Sequence, residues 1–190
     1  MAELLRREPL PLKYVTTGTV VVRQGELVRR PLVVVSGAFR EGCLSPEGRE
    51  LVLSILGPGD LATPPAGRLA PGTVRAARVS RLRDAAPHEI AALAAARGER
   101  AAELACDIAW LGVTDRLERR LEDLAGRFGR SVPGGELIDL FLTQSDLAAL
   151  VGASREHVNR AVGALARAGR IHRAGRGRYV VRPRLRSVLS

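Results

Sequence analysis

Short apolar runs separated by turn-forming residues fill the first third of the chain. Between Lys13 and Leu56, β-branched runs stop at glycines, which allow the backbone to turn sharply. Regularly spaced short strands with glycine turns are typical of a small barrel or jelly roll. The pattern predicts an N-terminal β-roll, and its strand-like runs are Thr19–Arg23, Leu32–Val35, Ala38–Arg40 and Glu50–Leu56.

The pattern becomes helical after Pro87. A short alanine-rich helix is predicted over Glu89–Ala96, and Gly98 is expected to interrupt it. Apolar residues then recur at alternating spacings of three and four, which predicts a coiled-coil seam. A helix packed on its own β-roll is the alternative interpretation. The seam residues are Ala101, Leu104, Ile108 and Leu111.

A helix-turn-helix is predicted further along the chain. Thr143 is a good N-cap for a short first helix, and Gly152 can adopt the positive φ of a tight turn. Ser154 can cap the second helix. The inward faces of the two helices supply a shared apolar core. Its members are Leu147 and Val151 from the first helix, and Val158, Val162 and Leu165 from the second.

The outward face of the second helix is then fixed as Arg155, Glu156, Asn159 and Arg160. A recognition helix places its N-terminal residues against base edges in the major groove. Arginine pairs with guanine, glutamate accepts from the cytosine amine, and asparagine pairs with adenine or holds a phosphate. A merely solvated helix face is the alternative.

A β-hairpin follows the second helix. Gly169 ends the helix, a strand begins at Ile171, and Gly175-Arg176-Gly177 forms a turn before the strand Tyr179–Val181. This order predicts a winged helix. Arginines on or beside the wing would contact the sugar-phosphate backbone, where they position the protein. They are Arg173, Arg176 and Arg178.

Charge supports this interpretation. The formal net charge is +10, and residues 154–190 hold ten basic side chains and one acidic one, whereas residues 1–153 hold 20 and 19. Phosphate neutralisation requires such a basic footprint. Nonspecific binding of nucleic acid is the weaker alternative, because aromatic residues make up 3% and are not interleaved with the basic ones.

Short motifs in the C-terminal part of the sequence resemble those of the Crp/Fnr family of dimeric bacterial transcription regulators. The similarity lies in residues 110–117 at the hinge, in Leu142-Thr143-Gln144, and in Ser154-Arg155-Glu156 with Val158 and Arg160. The order of N-terminal strands is also similar to the family's cyclic-nucleotide-binding-type β-roll. The expected fold is α+β: a jelly-roll β-roll over residues 1–86, a central dimerisation helix over 87–113, and a winged helix-turn-helix over 114–190.

The resemblance implies roles for single residues. Arg155, Glu156 and Arg160 match base-reading positions, and Thr143 and Ser154 match phosphate-contacting ones. Gln144 opens the first motif helix beside them and is included in the predicted double-stranded DNA site, as is Asn159. His157 departs from the small hydroxyl residue common in the family.

Dimerisation implies an inverted-repeat operator whose half-sites contain a G·C pair, resembling the TGTGA type. Trp110 is expected near the hinge of the homodimer. In activators of the family a surface loop touches RNA polymerase, and the corresponding Arg127–Glu136 is expected to be a loop. Activation and repression both stay open.

The ligand cassette departs from the family. Residues 60–72 contain three prolines, which exclude a long helix, and no glutamate; only Arg68 could meet an anion. We expect no cyclic-nucleotide pocket and no cofactor. A constitutive regulator is one hypothesis. A sensor of another small molecule, with Arg40, Arg49, Arg68 or Arg75 as anion partner, is the other.

The sequence disfavours a metal-binding protein, an enzyme and a membrane protein. Cys43 and Cys106 lack the neighbours of a metal site and are interpreted as small core residues. The chain lacks nucleotide-binding, hydrolase and metalloprotease motifs, so we expect no enzyme. It also lacks an apolar run of 18 residues and a secretory signal. We therefore expect a cytoplasmic protein without membrane contact.

Overall fold

A computed structural model describes residues 11–182 of the chain. This part contains four helices: α1 Pro87–Trp110, α2 Val113–Phe128, α3 Gln144–Val151 and α4 Arg155–Arg167. The strands within the same residues are β1 Lys13–Val15, β2 Val20–Val22, β3 Leu32–Ser36, β4 Phe39–Leu44, β5 Glu50–Leu56, β6 Thr73–Ala76, β7 Ser80–Asp84, β8 Gly129–Val132, β9 Gly135–Ile138, β10 Ile171–Arg173 and β11 Tyr179–Val181.

The described chain forms two compact units. The first contains residues 11–39 and Leu56–Arg97, and it includes β1, β2, β3, β6 and β7 of the predicted β-roll. Strands β1, β7 and β3 form an antiparallel sheet in that order, and β2 pairs with β6. Burial of β-branched and other apolar side chains stabilises this unit. Its core includes Val22, Val34, Phe39, Leu56, Val74 and Leu82.

Residues 57–72 form no helix, as their prolines predict. The segment instead runs beside an earlier part of the first unit. The backbone N–H of Gly67 donates to the carbonyl of Val28 at 2.9 Å, and that of Ala70 donates to the carbonyl of Glu26 at 2.9 Å. The loop is therefore held by its backbone groups.

Helix α1 is continuous across Gly98, so the predicted interruption is wrong. A glycine inside a helix costs about 1 kcal/mol relative to alanine, which favourable neighbouring residues can offset. The predicted seam is also wrong at Leu104, because this side chain is only 3% exposed within a single chain. Leu104 therefore belongs to the inner face of α1.

The two cysteines are not core residues. Cys43 is half-buried and Cys106 is exposed, which contradicts the sequence prediction for both. Cys106 lies on α1 two residues after Leu104, about 200° around the helix axis, so burial of Leu104 turns Cys106 outward.

The second unit contains Arg40–Ile55, which includes most of β4 and β5, and residues 98–182. The inner face of α2 is apolar and includes the buried Leu117, Leu121 and Leu124. Buried Arg116 stabilises the start of this helix against the end of α1: its Nη1 donates to the carbonyl of Ile108 at 3.0 Å. The link between α1 and α2 is therefore fixed by a charge-assisted hydrogen bond.

A four-stranded antiparallel sheet follows α2, with the order β10-β11-β9-β8. Strands β8 and β9 lie in the segment that was predicted to be a loop, so that prediction is wrong. Pro133 and Gly134 form the tight turn, and proline followed by a glycine with positive φ suits the two central positions of a type II turn. The strand β9 also pairs with β11 and so joins the hairpin to the wing.

Two glycines of the second unit give opposite predictions for stability. Gly126 is an exposed helical residue with no atom within 4 Å of a Cβ placed there, so Gly126→Ala should stabilise by about 0.5 to 1 kcal/mol. Gly152 has φ +60° and Leu51 Cδ1 3.2 Å from the same position, so Gly152→Ala should destabilise by about 1 to 2 kcal/mol. Urea denaturation of both variants measures the difference, and equal effects would contradict it.

Candidate nucleic-acid interface

Helix α3 begins with a reciprocal cap. The Thr143 hydroxyl oxygen accepts from the backbone N–H of Asp146 at 3.1 Å, and the Asp146 carboxylate accepts from the backbone N–H of Thr143 at 2.8 Å. This capping box satisfies two otherwise unpaired donors, and the carboxylate favours the positive end of the helix dipole. The predicted cap at Thr143 is confirmed.

The turn between α3 and α4 is as predicted. Gly152 adopts the left-handed conformation, with φ 60° and ψ 42°, and Ser154 caps α4 by accepting from the backbone N–H of His157 at 3.3 Å. The predicted shared core is also confirmed, because all five of its members are buried. Those members are Leu147, Val151, Val158, Val162 and Leu165.

The predicted recognition residues all lie on the exposed face of α4: Arg155, Glu156, Asn159 and Arg160. Arg160 Nη1 lies 3.1 Å from Glu156 Oε1, and the two side chains are 63% and 78% exposed. A pair so open to water contributes little to stability. Both side chains can therefore exchange this contact for one with a ligand at small cost.

The wing is tied to the start of α3 by three contacts. The backbone N–H of Leu142 donates to the carbonyl of Gly177 at 2.8 Å, and Gln144 Nε2 donates to the Tyr179 hydroxyl at 3.1 Å. The Phe141 ring lies over Gly177, where a Cβ would be 2.7 Å from it. Only glycine fits there, since its φ is also +69°.

The contact between Gln144 and Tyr179 was not predicted from the sequence. Gln144 is half-buried and joins the wing to α3, and Tyr179 is buried. Burial raises the pKa of the Tyr179 phenol, so the hydroxyl stays neutral near pH 7 and can accept the amide proton. A glutamine at the first turn and a tyrosine in a wing strand were the only signals available.

Between the wing and the N-terminus of α3 lies a groove of about 330 Å³, here called the wing groove. Three arginines line it, together with the hydroxyl residues Thr143 and Ser145, and its lining contains no carboxylate. The positive end of the α3 dipole lies in the same place. This combination suits a phosphate group. The three arginines are Arg155, Arg173 and Arg176.

The structure therefore brings together five predicted residues in the wing groove: Thr143, Gln144, Arg155, Arg173 and Arg176. Ser154, Glu156, Asn159 and Arg160 lie outside it, at the cap or on the exposed face of α4. Arg178 is exposed but does not line the groove.

One arginine of the basic tail has a structural role. Arg170 pairs with Glu118 and, at 2.9 Å, with Glu122, both on α2. The hydrogen bond to Glu118 raises the pKa of Arg170 above its usual value. This pairing anchors the residue that precedes β10, and the excess charge available to a polyanion is smaller than the sequence count indicates.

Two comparisons identify the class of protein. A family model described as a Crp-like helix-turn-helix domain matches residues 115–187. The CRP-like cAMP-activated global transcriptional regulator of Mycobacterium tuberculosis is 34% identical over 178 residues, covering 84% of this chain and 79% of that protein. The chain belongs to the Crp/Fnr family of transcription regulators.

Solved structures of other Crp/Fnr regulators have the same fold. A CRP/FNR-family regulator from Thermus thermophilus aligns with TM-score 0.77 and 24% identity, covering 91% of this chain and 94% of its own. The c-di-GMP responsive global regulator CLP from Xanthomonas campestris aligns with TM-score 0.73 and 25% identity, covering 92% and 94%. The predicted family, β-roll and DNA-binding helix-turn-helix are confirmed.

This Crp/Fnr regulator has a second cavity, of about 370 Å³, within its second unit. It lies among β5, α1 and α2 and is here called the arginine cavity, after Arg100, Arg119, Arg120 and Arg127 in its lining. The lining also contains four carboxylates, those of Glu103, Asp107, Glu122 and Asp123. Arg119 pairs with Asp107 at 3.0 Å. Within residues 11–182, Nε and Nη2 of Arg120 are buried without a hydrogen-bond partner. No pattern along the chain had indicated this cavity.

None of the helices within residues 11–182 has the length and apolar composition of a membrane span. The predicted cytoplasmic location stays a prediction.

Proposed function

We propose that this regulator binds duplex DNA in a sequence-specific manner, as a homodimer on pseudo-palindromic promoter sites, and performs no catalysis. The observation that supports this most strongly is the exposed N-terminal face of α4 beside the acid-free wing groove. One surface supplies varied hydrogen-bonding side chains, and the other supplies positive charge. Base reading and phosphate contact require these two properties together.

The α4 residues have distinct roles in this proposal. Arg155 and Arg160 donate to guanine O6 and N7, Glu156 accepts from cytosine N4, and Asn159 pairs with adenine or holds a phosphate. The ion pair between Glu156 and Arg160 lies on the exposed face of the free protein, where both side chains can exchange it for contacts with bases. Adjacent base pairs can then be read together.

The remaining predicted residues contact the sugar-phosphate backbone of the DNA. Thr143 and Ser154 have hydroxyl groups at helix N-termini, and Arg173, Arg176 and Arg178 present guanidinium groups around the wing. In the free protein the Thr143 hydroxyl donates to the Asp146 carboxylate at 2.6 Å, so it would exchange this bond for one to a phosphate. Such contacts release counterions from DNA, so binding should weaken steeply as salt rises. Gln144 supports the groove through Tyr179.

Two arginine substitutions separate base reading from phosphate contact. Arg155→Ala should cost about 1 to 3 kcal/mol on the selected operator and reduce discrimination at one base pair. Arg176→Ala should weaken all duplexes similarly and reduce the slope of log K against log salt by about 1. Fluorescence anisotropy on operator and scrambled duplexes at several salt concentrations measures both.

Arg130→Ala is the matched control, because Arg130 is exposed on β8 and does not line the wing groove. Its operator affinity should be unchanged. If Arg155→Ala weakened operator and scrambled duplex equally, Arg155 would not be a base-reading residue.

Dimerisation is proposed through the outer face of α1. Gly98, Ala102, Ala105 and Ala109 are all exposed and recur at spacings of four, three and four, on the side opposite Asp107. Small residues allow two helices to approach closely. This row replaces the seam predicted from the sequence. Trp110, 82% exposed, and Ile108, 40% exposed, lie at its C-terminal end.

A charge placed in this row should prevent dimerisation. Ala102→Glu would bury two carboxylates beside each other, so the protein should sediment as a monomer and lose most of its operator affinity. Ala102→Ser is the matched control and should remain dimeric. A dimeric Ala102→Glu variant in analytical ultracentrifugation would contradict the proposed seam.

We propose that cyclic AMP is not required. The Mycobacterium relative is named as cAMP-activated, but in this chain residues 57–72 form no helix and the N–H groups of Gly67 and Ala70 are already bonded. Arg68 and Arg75 are exposed, and Arg75 donates to the carbonyl of Gly18.

The arginine cavity favours a second candidate function, in which another small anion binds at Arg120 and regulates DNA binding. Four carboxylates lie beside the four arginines of its lining, so Arg120 is the group that would hold the anion. A volume of about 370 Å³ is within the range of ligand sites, and the buried nitrogens of Arg120 need an acceptor. The predicted partners Arg40 and Arg49 are instead engaged with Glu50 and Glu47. Contact with RNA polymerase stays a prediction. The segment predicted to make it, Arg127–Glu136, contains β8 and the start of β9.

The two modes of regulation give different results in one experiment. Operator affinity should be the same with and without cyclic AMP, because the backbone donors of the loop are occupied. Under the second candidate, one of a panel of phosphate and carboxylate metabolites should raise the melting temperature of the wild type but not of Arg120→Gln. An increase in affinity with cyclic AMP alone would contradict both.

A further inference from the structure

His157 lies at an unusual place for an imidazole, in the first turn of the proposed recognition helix. Its side chain is exposed, and its ring Nδ1 lies 2.7 Å from the Ser154 hydroxyl oxygen. The same oxygen accepts from the backbone N–H of His157 at 3.3 Å. Among the described residues, Ser154 is the one hydrogen-bond partner of the His157 ring.

Whether the Ser154 hydroxyl proton is free to be donated depends on the protonation of the His157 ring. A hydroxyl has one proton to donate and two lone pairs. In the neutral tautomer that carries its proton on Nε2, Nδ1 is unprotonated and accepts the Ser154 hydroxyl proton. We take this tautomer as the neutral state of His157. When the imidazole is doubly protonated, Nδ1–H donates to the Ser154 oxygen, and the Ser154 proton becomes available to another acceptor. A positive charge is added beside the helix N-terminus at the same time.

We propose that His157 is a proton-dependent DNA contact: its protonation releases the Ser154 hydroxyl to donate to a backbone phosphate and adds a cation beside that phosphate. This inference rests on the proposed DNA-binding function. Imidazole changes its charge between about pH 5 and 8, so operator affinity rises as pH falls through this range.

Neighbouring charges do not compete for the His157 ring. On α4 itself, Glu156 is paired with Arg160, while Arg155 lines the wing groove. The elements packed against α4 are α2, α3 and β10, and none of their charged groups bonds to His157. These groups are Asp115, Arg116, Glu118, Arg119, Arg120, Glu122, Asp123 and Arg127 on α2, Asp146 on α3, and His172 and Arg173 on β10.

The test is operator affinity between about pH 6 and 8 at constant ionic strength, with the sequence selected by the protein as the probe. Wild-type affinity should be roughly tenfold higher at the acidic end, since a charge-assisted hydrogen bond is gained in each half-site. His157→Gln keeps a polar side chain without a titrating group. This variant lacks both the cation and the ring nitrogen that takes the Ser154 proton, so it should bind with nearly constant affinity, between the wild-type values at the two ends of the range.

His172→Gln is the matched control, because His172 is an exposed histidine on β10 that makes no contact with Ser154. It should keep the pH dependence of the wild type. Circular dichroism at each pH checks that all variants remain folded. His157→Thr restores a small hydroxyl and should bind independently of pH, with high affinity.

The outcomes separate the two levels of the proposal. Equal pH dependence in wild type and His157→Gln, or a wild-type affinity that does not change with pH, would overturn the role of His157 and leave operator binding intact. Failure to prefer any sequence at any pH would contradict the proposed function itself.

Discussion

The packing between α3 and α4 is the constraint on which the DNA interface depends. Val158 and Val162 are fully buried with Leu147 and Val151, so rotation of α4 about its axis would expose apolar surface. Burying such side chains contributes about 1.5 to 3 kcal/mol each. The four polar residues at the start of α4 face solvent because the opposite face of this helix packs in the core.

The wing is positioned by contacts with α2 and with the start of α3. Its strands are joined to α2 through Arg170, and its turn is held against the start of α3 by Phe141, Gln144 and Tyr179. These contacts place two wing arginines beside the first turn of α3 and beside Arg155. Apolar and polar contacts within the protein therefore determine the shape of the wing groove.

Local signals explain why much of this interface could be predicted from the sequence. Caps at Thr143 and Ser154, the left-handed Gly152 and the apolar spacing of α4 act within one or two helical turns, so few distant contacts can override them. The bonds between Gln144 and Tyr179 and between Arg170 and Glu118 join residues 35 and 52 positions apart. Spacing along the chain contains no information about such pairs.

The sequence predictions that were wrong also depend on contacts between residues far apart along the chain. Gly98 has a weak preference against helix that the rest of α1 overrides, and the inner face of α1, which includes Leu104, depends on which elements pack against it. Pro133 and Gly134 indicate a turn, but the sequence did not reveal that the flanking residues pair as strands. The arginine cavity combines side chains from β5, α1 and α2, so it exists only after folding.

Selection of random duplexes by the purified protein, without added effector, tests the central claim most directly. If the start of α4 reads bases in a two-fold dimer, the bound fragments will be enriched in an inverted repeat with a G·C pair in each half-site, and half-sites about one helical turn or a small multiple apart. Enrichment of a non-palindromic site, or no enrichment over the input pool, would contradict the account.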